Sequence, residues 1–266
     1  MALGQYESLT IDREDQILTI TLNRPENLNA VNHSLHGDLA RVFPEADADP
    51  DSRVIVITGA GRAFSAGGDI NEMGKPSLSE TIRKGAGVRG EAFRIVDSLL
   101  SIEKPVIAMV NGHAIGLGAT IALICDVIVA NEAAKIGDPH VNVGLVAGDG
   151  GAVIWPLLIG VARAKEYLMT GKLITGKEAA QIGLVNHSAP ADQLKDVTFE
   201  IARALAAQPP FAVRATKAAV NRVLRRQVLE LMDICLAWEE MSMKMNDHRE
   251  ATSAFLEKRK PVFTGT

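Results

Sequence analysis

Two glycine-rich loops carry residues whose types and spacing suit chemistry at a carbonyl group. The first loop spans residues 59–69, and the second leads from Asn111-Gly112-His113 into a helix predicted to start at Gly118. Glycine lets the backbone adopt unusual dihedral angles and leaves its N–H groups uncovered. A helix N-terminus adds partial positive charge. Two such loops can direct two amides at one oxygen and stabilise an enolate or a tetrahedral oxyanion.

His140 and Asp149 are candidates for acid–base work. Asp149 lies in the glycine-rich segment Gly148-Asp149-Gly150-Gly151, a short loop away from His140. Histidine has an ordinary pKa of ~6.5, which suits a general base. The Asp149 carboxylate could orient the imidazole or act as a second acid–base group. Two other roles stay open, because a histidine after proline is often structural and Asp149 could cap a helix that starts near Gly150.

The first loop also resembles other glycine motifs. Thr58-Gly59-Ala60-Gly61 begins like a dinucleotide-binding fingerprint, but Phe64 occupies the third glycine position and the acidic residue expected about 20 residues later is missing. A P-loop would need Gly-Lys-Ser/Thr. Residues 63–67 nearly match the G-x-S-x-G nucleophile elbow. A serine hydrolase with Ser65 as nucleophile and a late histidine as base therefore remains a competing hypothesis.

Apolar patterning places the loops in an α/β fold. Alternating or continuous apolar runs predict strands over residues 17–22, 53–58, 106–110 and 126–130. Helical spacing predicts helices over residues 32–43, with Asn32 as N-cap, and over 88–102 and 118–124. Strand, glycine loop and helix occur in that order near residues 53–80 and 105–125, which indicates crossover connections.

The second half of the chain is predicted to be helical. Periodic apolar positions predict helices over residues 151–159, 161–170, 176–181, 191–207, 210–225 and 227–245. We divide the chain into a core domain, residues 1–205, and a C-terminal helical oligomerisation region, residues 206–266. That region could pack on its own domain or on another subunit.

Composition limits the class of partner. The chain has 266 residues, 47% of them apolar and 23% charged, with a net charge of −4. This is ordinary globular usage and argues against a nucleic-acid-binding protein. No apolar stretch approaches the ~18 residues of a membrane span, so no membrane partner is expected. Without a signal-peptide pattern or a cysteine framework, the expected location is cytoplasmic.

Metal-ligand spacing is weak. His33 and His36 lie three residues apart on a predicted helix, but no third ligand stands beside them, and an exposed helix face is the favoured interpretation. We predict no metal and no redox cofactor.

Taken in order, several segments resemble the enoyl-CoA hydratase/isomerase (crotonase) superfamily across most of the chain. The matching segments are Asn23-Arg24-Pro25-Glu26, residues 63–70, residues 104–112, Cys125-Asp126, residues 171–176, residues 182–185 and residues 254–260. The resemblance implies a spiral of ββα units with a C-terminal helical trimerisation region, and homotrimers or homohexamers. It also implies an acyl-CoA substrate, with coenzyme A bound only as part of the thioester.

The resemblance assigns site residues by position. It implies that the amides of Gly68 and Leu117 form the oxyanion hole. Positions that contact CoA in the family are matched here by Arg24, Ser65, Ala66, Phe255 and Lys258, the last two reaching CoA from a neighbouring subunit.

The sequence departs from the family at both catalytic glutamates. Thr120 and His140 stand where a family hydratase carries the two carboxylates that activate water. The ordinary glutamate-pair hydration is therefore not expected. His140 and Asp149 are predicted to supply an atypical acid–base set, with Glu239 as a supporting residue.

Besides the serine hydrolase, three functions remain open at this stage. The first is an acyl-CoA-processing lyase or isomerase that stabilises a thioester enolate. The second is a carbon–carbon-bond hydrolase, because the His…Gly-Asp-Gly arrangement resembles the retro-Claisen branch typified by 6-oxocamphor hydrolase. The third is a catalytically silent acyl-CoA-binding protein, which the lost glutamates suggest.

Overall fold

The chain folds into two sheets surrounded by helices, in a computed structural model that describes residues 3–69 and 90–266. The strands in the described ranges are β1 Leu9–Glu14, β2 Ile17–Leu22, β3 Val54–Gly59, β4 Ala63–Ser65, β5 Val106–Val110, β6 His113–Ile115, β7 Val127–Asn131, β8 Lys135–Gly137, β9 Ile174–Thr175 and β10 His187–Ala189.

The helices are numbered separately from the strands, in chain order. Within the same ranges they are α1 His33–Ala48, α2 Gly90–Ser101, α3 Leu117–Ile124, α4 Gly151–Ile159, α5 Val161–Thr170, α6 Gly176–Gln181, α7 Leu194–Ala206, α8 Pro210–Met243 and α9 Asn246–Leu256. Short 3-10 turns cover Pro25–Asn27 and His140–Val143. None of the described helices is both long and apolar enough to span a membrane.

A repeated ββα unit generates the two sheets. One sheet has six strands in the order β1-β2-β3-β5-β7-β10, and the other has four in the order β4-β6-β8-β9. Strands β3, β5 and β7 pair in parallel in the first sheet, while β4, β6 and β8 pair in parallel in the second. Each turn of the chain therefore adds one strand to each sheet, which confirms the predicted spiral of ββα units.

The long elements follow the predicted pattern closely. Strands β2 and β5 have the predicted bounds, and all six residues of β3 are buried, as a continuous apolar run requires. The Asn32 side chain caps α1 by accepting a hydrogen bond of 3.0 Å from the amide of Leu35. The predicted end of α1 at residue 43 is wrong, because the helix continues through Pro44 and buries Ala46 before it ends at Ala48.

Short elements account for most other differences. The strands β4 and β6 lie inside the two predicted loops, and β9 and β10 interrupt the predicted helical half. Strands of two or three residues are too short to show an alternating pattern. The separate helices predicted over 210–225 and 227–245 form one continuous helix, α8, because neither glycine nor proline interrupts that stretch.

Helix α8 packs on the core of its own chain along one face. Lys217 Nζ lies 2.6 Å from Asp126 Oδ2 and donates to the carbonyl oxygen of Lys104 at 2.7 Å. Further along the same helix, Met232 is fully buried. The opposite face exposes large apolar side chains, among them Val223, Trp238 and Met241. The boundary between residues 205 and 206 stays a prediction.

The Asp126–Lys217 ion pair should contribute far more to stability than the exposed Asp97–Arg225 pair, whose arginine lies on the same helix as Lys217. Asp126→Ala leaves the Lys217 ammonium, 7% exposed, without its partner, and we expect a loss of about 2–4 kcal/mol in the free energy of unfolding. Asp97→Ala removes a partner from an arginine that is 45% exposed and should cost under about 1 kcal/mol. Urea denaturation of both variants measures the difference, and equal losses would contradict this account.

Candidate active site

The two glycine loops meet where β4 and β6 pair in parallel. Their glycines permit the contact, because a Cβ atom on Gly118 would lie only 2.7 Å from the Cβ of Ser65. Similarly, a Cβ atom on Gly67 would lie 2.7 Å from the carbonyl oxygen of Ile115. Larger residues at these positions would push the loops apart. The first loop therefore lies directly against the segment that leads into α3.

The amide of Gly68 faces away from the backbone around Val31. Val31 N donates to Gly67 O at 2.7 Å, and Asp69 N donates to Val31 O at 3.2 Å, which forms a parallel bridge centred on Gly68. In such a bridge the N–H of the central residue points to the opposite side. The Gly68 amide is therefore directed toward the side on which β6 lies.

The amide of Leu117 is the first of α3. Gly116 precedes it with a φ of 52°, a left-handed conformation that favours glycine. The first N–H of a helix has no carbonyl partner within that helix, and it lies at the positive end of the helix dipole. Within the described residues, neither Leu117 N nor Gly68 N makes a hydrogen bond. The two predicted oxyanion donors thus lie on touching segments with both amides available.

The imidazole of His140 lies against the second loop. His140 begins the 3-10 turn that follows β8, and the residue is 8% exposed. A Cβ atom on Gly116 would lie 3.2 Å from the Cε1 atom of His140. The ring therefore borders the residue immediately before Leu117, which brings the acid–base candidate and the amide donors into one site.

Three carboxyl groups surround this imidazole. Asp138 contacts Nδ1, while Asp149 Oδ2 lies 3.5 Å and Glu239 Oε1 lies 3.8 Å from Nε2. Thr120 Oγ1 donates to the other Asp149 oxygen at 3.4 Å. All five side chains are buried. Asp149 is not the N-cap residue of α4, since Gly150 holds that position, but its carboxylate accepts a hydrogen bond from the backbone of Gly151, the first residue of the helix.

The absence of a Cβ atom at Gly148, Gly150 and Gly151 allows these side chains to lie so close together. A Cβ atom on Gly148 would lie 2.7 Å from the Cβ of Glu239, and one on Gly150 would lie 2.5 Å from the Cγ2 of Thr120. A Cβ atom on Gly151 would overlap Asp138 Oδ2. These glycines let α8, α3 and the end of β8 approach one buried group.

The surroundings shift the pKa of each group around Nε2. Burial opposes the charged imidazole, but Asp149, Asp138 and Glu239 outweigh it and raise the pKa of His140 to about 10. Burial raises the pKa of Asp149, although the imidazolium opposes this shift. Burial and the neighbouring Asp149 raise the pKa of Glu239 further. His140 is therefore an imidazolium at neutral pH, which differs from the free base that an ordinary histidine pKa predicts.

The cluster also has the spacing of a possible metal site. Asp138, His140 and Asp149 each offer a ligand atom, and these atoms lie within 4.8 Å of one another. However, Asp138 Oδ1 and His140 Nδ1 already contact each other. We therefore interpret the group as a hydrogen-bonded acid–base cluster, and the absence of a metal stays a prediction.

Comparisons with known proteins identify the family. A family model described as "Enoyl-CoA hydratase/isomerase" matches residues 12–266. The chain belongs to the enoyl-CoA hydratase/isomerase family. It is 34% identical over 259 residues to a probable enoyl-CoA hydratase of Mycobacterium bovis, a match that covers 97% of this chain and 98% of that protein.

Other relatives differ in their reactions. The chain is 34% identical over 252 residues to the 1,2-epoxyphenylacetyl-CoA isomerase of Escherichia coli, which covers 95% of this chain and 96% of that one. A solved enoyl-CoA hydratase/isomerase from Mycobacterium paratuberculosis superposes with a TM-score of 0.85 at 39% identity, over 92% of this chain and 97% of that one. The crotonase fold predicted from the sequence is thus confirmed, while the reaction is not fixed by the family.

Ser65 has a structural role within this family fold. Its side chain is fully buried, and its hydroxyl donates to Asn29 O at 2.8 Å and accepts from Gly67 N at 3.2 Å. No histidine of the described residues takes part in these bonds, so the serine-hydrolase hypothesis is wrong for this geometry. A CoA contact at Ser65 would have to use its backbone. Ala66 beside it is partly exposed.

Arg24 braces the first loop. Its guanidinium donates to the carbonyl oxygen of Ala30 and lies 3.5 Å from Asp69 Oδ2. The side chain is only 15% exposed. Its predicted contact with CoA stays a prediction.

Phe255 and Lys258 lie at the exposed end of α9, apart from the buried cluster. Phe255 is 61% exposed, and Lys258 is exposed in a left-handed conformation with a φ of 54°. Helix α9 itself packs against the turn that carries His140, because His248 Nδ1 lies 2.7 Å from the carbonyl oxygen of Val143. The predicted role of Phe255 and Lys258 across a subunit interface stays a prediction.

Asp138 is the member of the cluster that sequence reasoning missed. Its signal was the spacing in Asp138-Pro139-His140, where a carboxylate two residues before a histidine can fold back onto the ring. His33 and His36 do not form a fully exposed face as expected, since His36 is half-buried and burial lowers its pKa to about 4.

The raised pKa of His140 predicts that this side chain keeps its proton well above pH 7. A free histidine is neutral at pH 8 because its pKa is ~6.5, whereas His140 should remain an imidazolium there and titrate near pH 10. Nitrogen-15 NMR of protein with labelled histidine measures this, with His140→Gln identifying the signal among six histidines. A midpoint at or below pH 7 would contradict the cluster as described.

Proposed function

We propose that this protein catalyses enolate chemistry on an acyl-CoA thioester, within the hydratase/isomerase range of its family. The supporting observation is the contact between Gly116 and the His140 ring, which joins the two amide donors to the acid–base cluster. A thioester carbonyl oxygen held by Gly68 N and Leu117 N would place its α and β carbons near that cluster. Each such donor is typically worth about 10²–10³ in rate.

The Asp149 carboxylate lies close to position 120, where the family resemblance expects a glutamate and this chain has Thr120. The family resemblance assigns position 120 to a catalytic glutamate, and here the Thr120 hydroxyl lies 3.4 Å from Asp149 Oδ1. A carboxylate from the glycine-rich loop therefore stands beside the position of the missing one. This proximity is why we favour an active enzyme over a catalytically silent acyl-CoA-binding protein.

Asp149 and Glu239 are assigned the proton-transfer roles of the cluster. Asp149 is the base, because its pKa is raised less than that of Glu239 and the adjacent imidazolium stabilises its charge. Glu239 holds a proton more readily and serves as the acid. In hydration, Asp149 accepts a proton from water as the water oxygen bonds to the β carbon, and Glu239 delivers a proton to the α carbon. In isomerisation, Asp149 accepts a proton from the α carbon and Glu239 delivers one to the γ carbon.

The acyl group is proposed to be apolar. A crevice beside Gly150 is lined by aliphatic side chains from α2, α3, α4 and α8, including Val96, Ile124, Val153 and Leu224. Gly150 lines this crevice, and a Cβ atom on it would lie only 2.5 Å from the Cγ2 of Thr120, so the crevice lies beside the cluster. An apolar acyl chain leaving the cluster would find a matching surface there, whereas a charged acyl terminus would lose its hydration without a partner.

Carbon–carbon bond hydrolysis is the second candidate. It is favoured by the approach of the His140 ring to Asp149, because the Asp149 carboxylate could activate water while the imidazolium donates a hydrogen bond to the oxygen of a ketone. A panel of 2-enoyl-CoAs, 3-enoyl-CoAs and β-diketones separates the two candidates. Hydration or isomerisation of the CoA thioesters supports the first, and cleavage of the diketones alone would replace it by the second.

Turnover of an accepted acyl-CoA should depend on the cluster and not on other histidines. Asp149→Asn and His140→Gln should each lower kcat by about 10²–10⁴, since each removes an acid–base group or its charge partner. His187→Gln, on the exposed strand β10, is the matched control and should retain full kcat.

Binding must be measured in the same variants. Calorimetry with a saturated acyl-CoA should give a similar Kd for wild type, Asp149→Asn and His187→Gln. Binding without turnover in the wild type, across the whole panel, would favour a silent binding protein and defeat the proposed function.

A homotrimer or homohexamer is the proposed assembly. The free face of α8 exposes Trp238 to 51% and Met241 to 63%, and such apolar surface is unusual on a monomer. Light scattering should give a mass of three or six times 28.4 kDa. Trp238→Glu should shift that mass toward the monomer, while Lys195→Glu on α7 should not. A wild-type monomer would overturn this assignment.

A further inference from the structure

Asp138 is a fully buried carboxylate with one well-defined partner. Its side chain is 0% exposed, and Oδ1 contacts the Nδ1 atom of His140. The same oxygen accepts a hydrogen bond of 3.4 Å from the His140 backbone amide. Burying a carboxylate is costly unless hydrogen-bond donors offset the loss of water. The His140 ring is the donor that offsets it here.

We propose that Asp138 is the positioning residue of the active site. It holds the His140 ring with Nδ1 engaged, so that Nε2 is the nitrogen that faces Asp149, Glu239 and the substrate. The role in catalysis rests on the proposed function, whereas the control of the ring by Asp138 does not. Carboxylates that fix a histidine in this way set which ring nitrogen carries the proton and raise the basicity of the ring.

Backbone hydrogen bonds connect the segment that carries Asp138 to the loop that carries the predicted oxyanion donor Leu117. Asp138 directly follows β8, which pairs with β6 through Ile115 and Gly137. Gly116 N donates to Gly137 O at 3.0 Å, which ties the strand end to the residue before Leu117. One backbone connection therefore sets the distance between the carboxylate and the amide donor.

Gly151 makes room for this carboxylate. A Cβ atom at position 151 would overlap Asp138 Oδ2, so only glycine leaves the Asp138 side chain in its observed rotamer. Gly151 is the first residue of α4 and follows Asp149 by two positions. The glycine-rich segment that places Asp149 near Nε2 thus also leaves space for Asp138 at Nδ1.

The positions of the three carboxyl groups give the ring one working orientation. With Nδ1 engaged by Asp138, Nε2 lies 3.5 Å from Asp149 Oδ2 and 3.8 Å from Glu239 Oε1. A flipped ring would leave Asp138 buried without its donor. Proton exchange with the cluster and the substrate is therefore confined to Nε2.

A purely structural role for Asp138 predicts different behaviour. Through the His140 backbone amide, Asp138 could simply stabilise the 3-10 turn. Removing a residue of that kind lowers the melting temperature but leaves the titration of the ring unchanged. A positioning residue alters the ring itself, in its protonation, its tautomer and its contribution to kcat.

Asp138→Asn is the variant that separates these roles, because the amide keeps the shape and loses the charge. By nitrogen-15 NMR, the pKa of His140 should fall by about 1–3 units, the usual effect of one adjacent opposite charge. With an accepted acyl-CoA, kcat should fall about 10–100-fold while KM changes little. The pH–rate profile should shift to lower pH in parallel with the NMR titration.

Asp38→Asn is the matched control. Asp38 is also a buried aspartate, 4% exposed, and accepts hydrogen bonds from the backbone amides of Glu7 and Ser8. We expect this control to lower the melting temperature without moving the His140 titration or the pH–rate profile. The titration and the profile therefore report on position in the site and not on the loss of a buried carboxylate.

The outcomes are distinguishable from failure of the proposed function. If Asp138→Asn does not fold, the wild-type spectrum still decides, because Nδ1–H should show the downfield signal of a strong hydrogen bond. If His140 titrates identically in wild type and Asp138→Asn, or if the wild type lacks that signal, the inference is overturned. If the titration shifts but no acyl-CoA is turned over, the proposed function fails and the control of His140 by Asp138 stands.

Discussion

The imidazole of His140 is buried and meets a carboxyl group at each of its nitrogens, with a third close by. In a low-dielectric interior, an unpaired imidazolium or an unpaired carboxylate would be expensive, so each charge depends on the others. This mutual dependence explains why the pKa of His140 is raised although burial alone would lower it. Burial raises the pKa of Asp149 and Glu239, so these two carboxyl groups hold protons more readily than exposed ones do. The rest of the site is arranged around that charged group.

The ββα spiral brings this group together because each turn ends at the same edge. The first turn supplies Gly68, the second supplies Leu117 at the start of α3, and the third supplies Asp138 and His140 after β8. Strands β4, β6 and β8 of the smaller sheet pair in parallel, so their carboxyl ends lie next to one another. Helix α8 then brings Glu239 from far along the chain. Glycines at the crossing points permit contacts that any side chain would block.

The sequence predicted the fold well where its signals were local and long. Strands β2 and β5 and helices α4, α5 and α6 have the predicted bounds, since each is set by its own apolar pattern. The short strands of the smaller sheet escaped prediction, because two or three residues pair only when a neighbouring turn is already in place. Asp138 was missed for a related reason. Its significance depends on the contact between its carboxylate and the His140 ring, which the Asp138-Pro139-His140 spacing permits but does not require.

The oxyanion hole could be proposed from the sequence, since its predicted donors are backbone amides and do not depend on side-chain identity. The loss of the family's two glutamates at positions 120 and 140 stays a prediction, and the side chains that stand there are arranged differently from what the sequence suggested. Thr120 does not act alone; its hydroxyl binds Asp149. His140 is held as a charged ring and not as a free base. The family resemblance pointed to these two positions, and the structure shows which side chains lie around them.

The central claim is that the Leu117 amide stabilises a thioester enolate, and it can be tested at that single N–H group. Proline is well tolerated at the first position of a helix, so Leu117→Pro removes the donor while α3 can still form. Leu117→Ala is the control, because it trims the side chain and keeps the amide. The measurement is exchange of the α proton of a saturated acyl-CoA in D₂O, followed by proton NMR. Exchange about 10²–10³ slower in Leu117→Pro than in Leu117→Ala is the predicted result, and equal exchange rates in two folded variants would contradict the account.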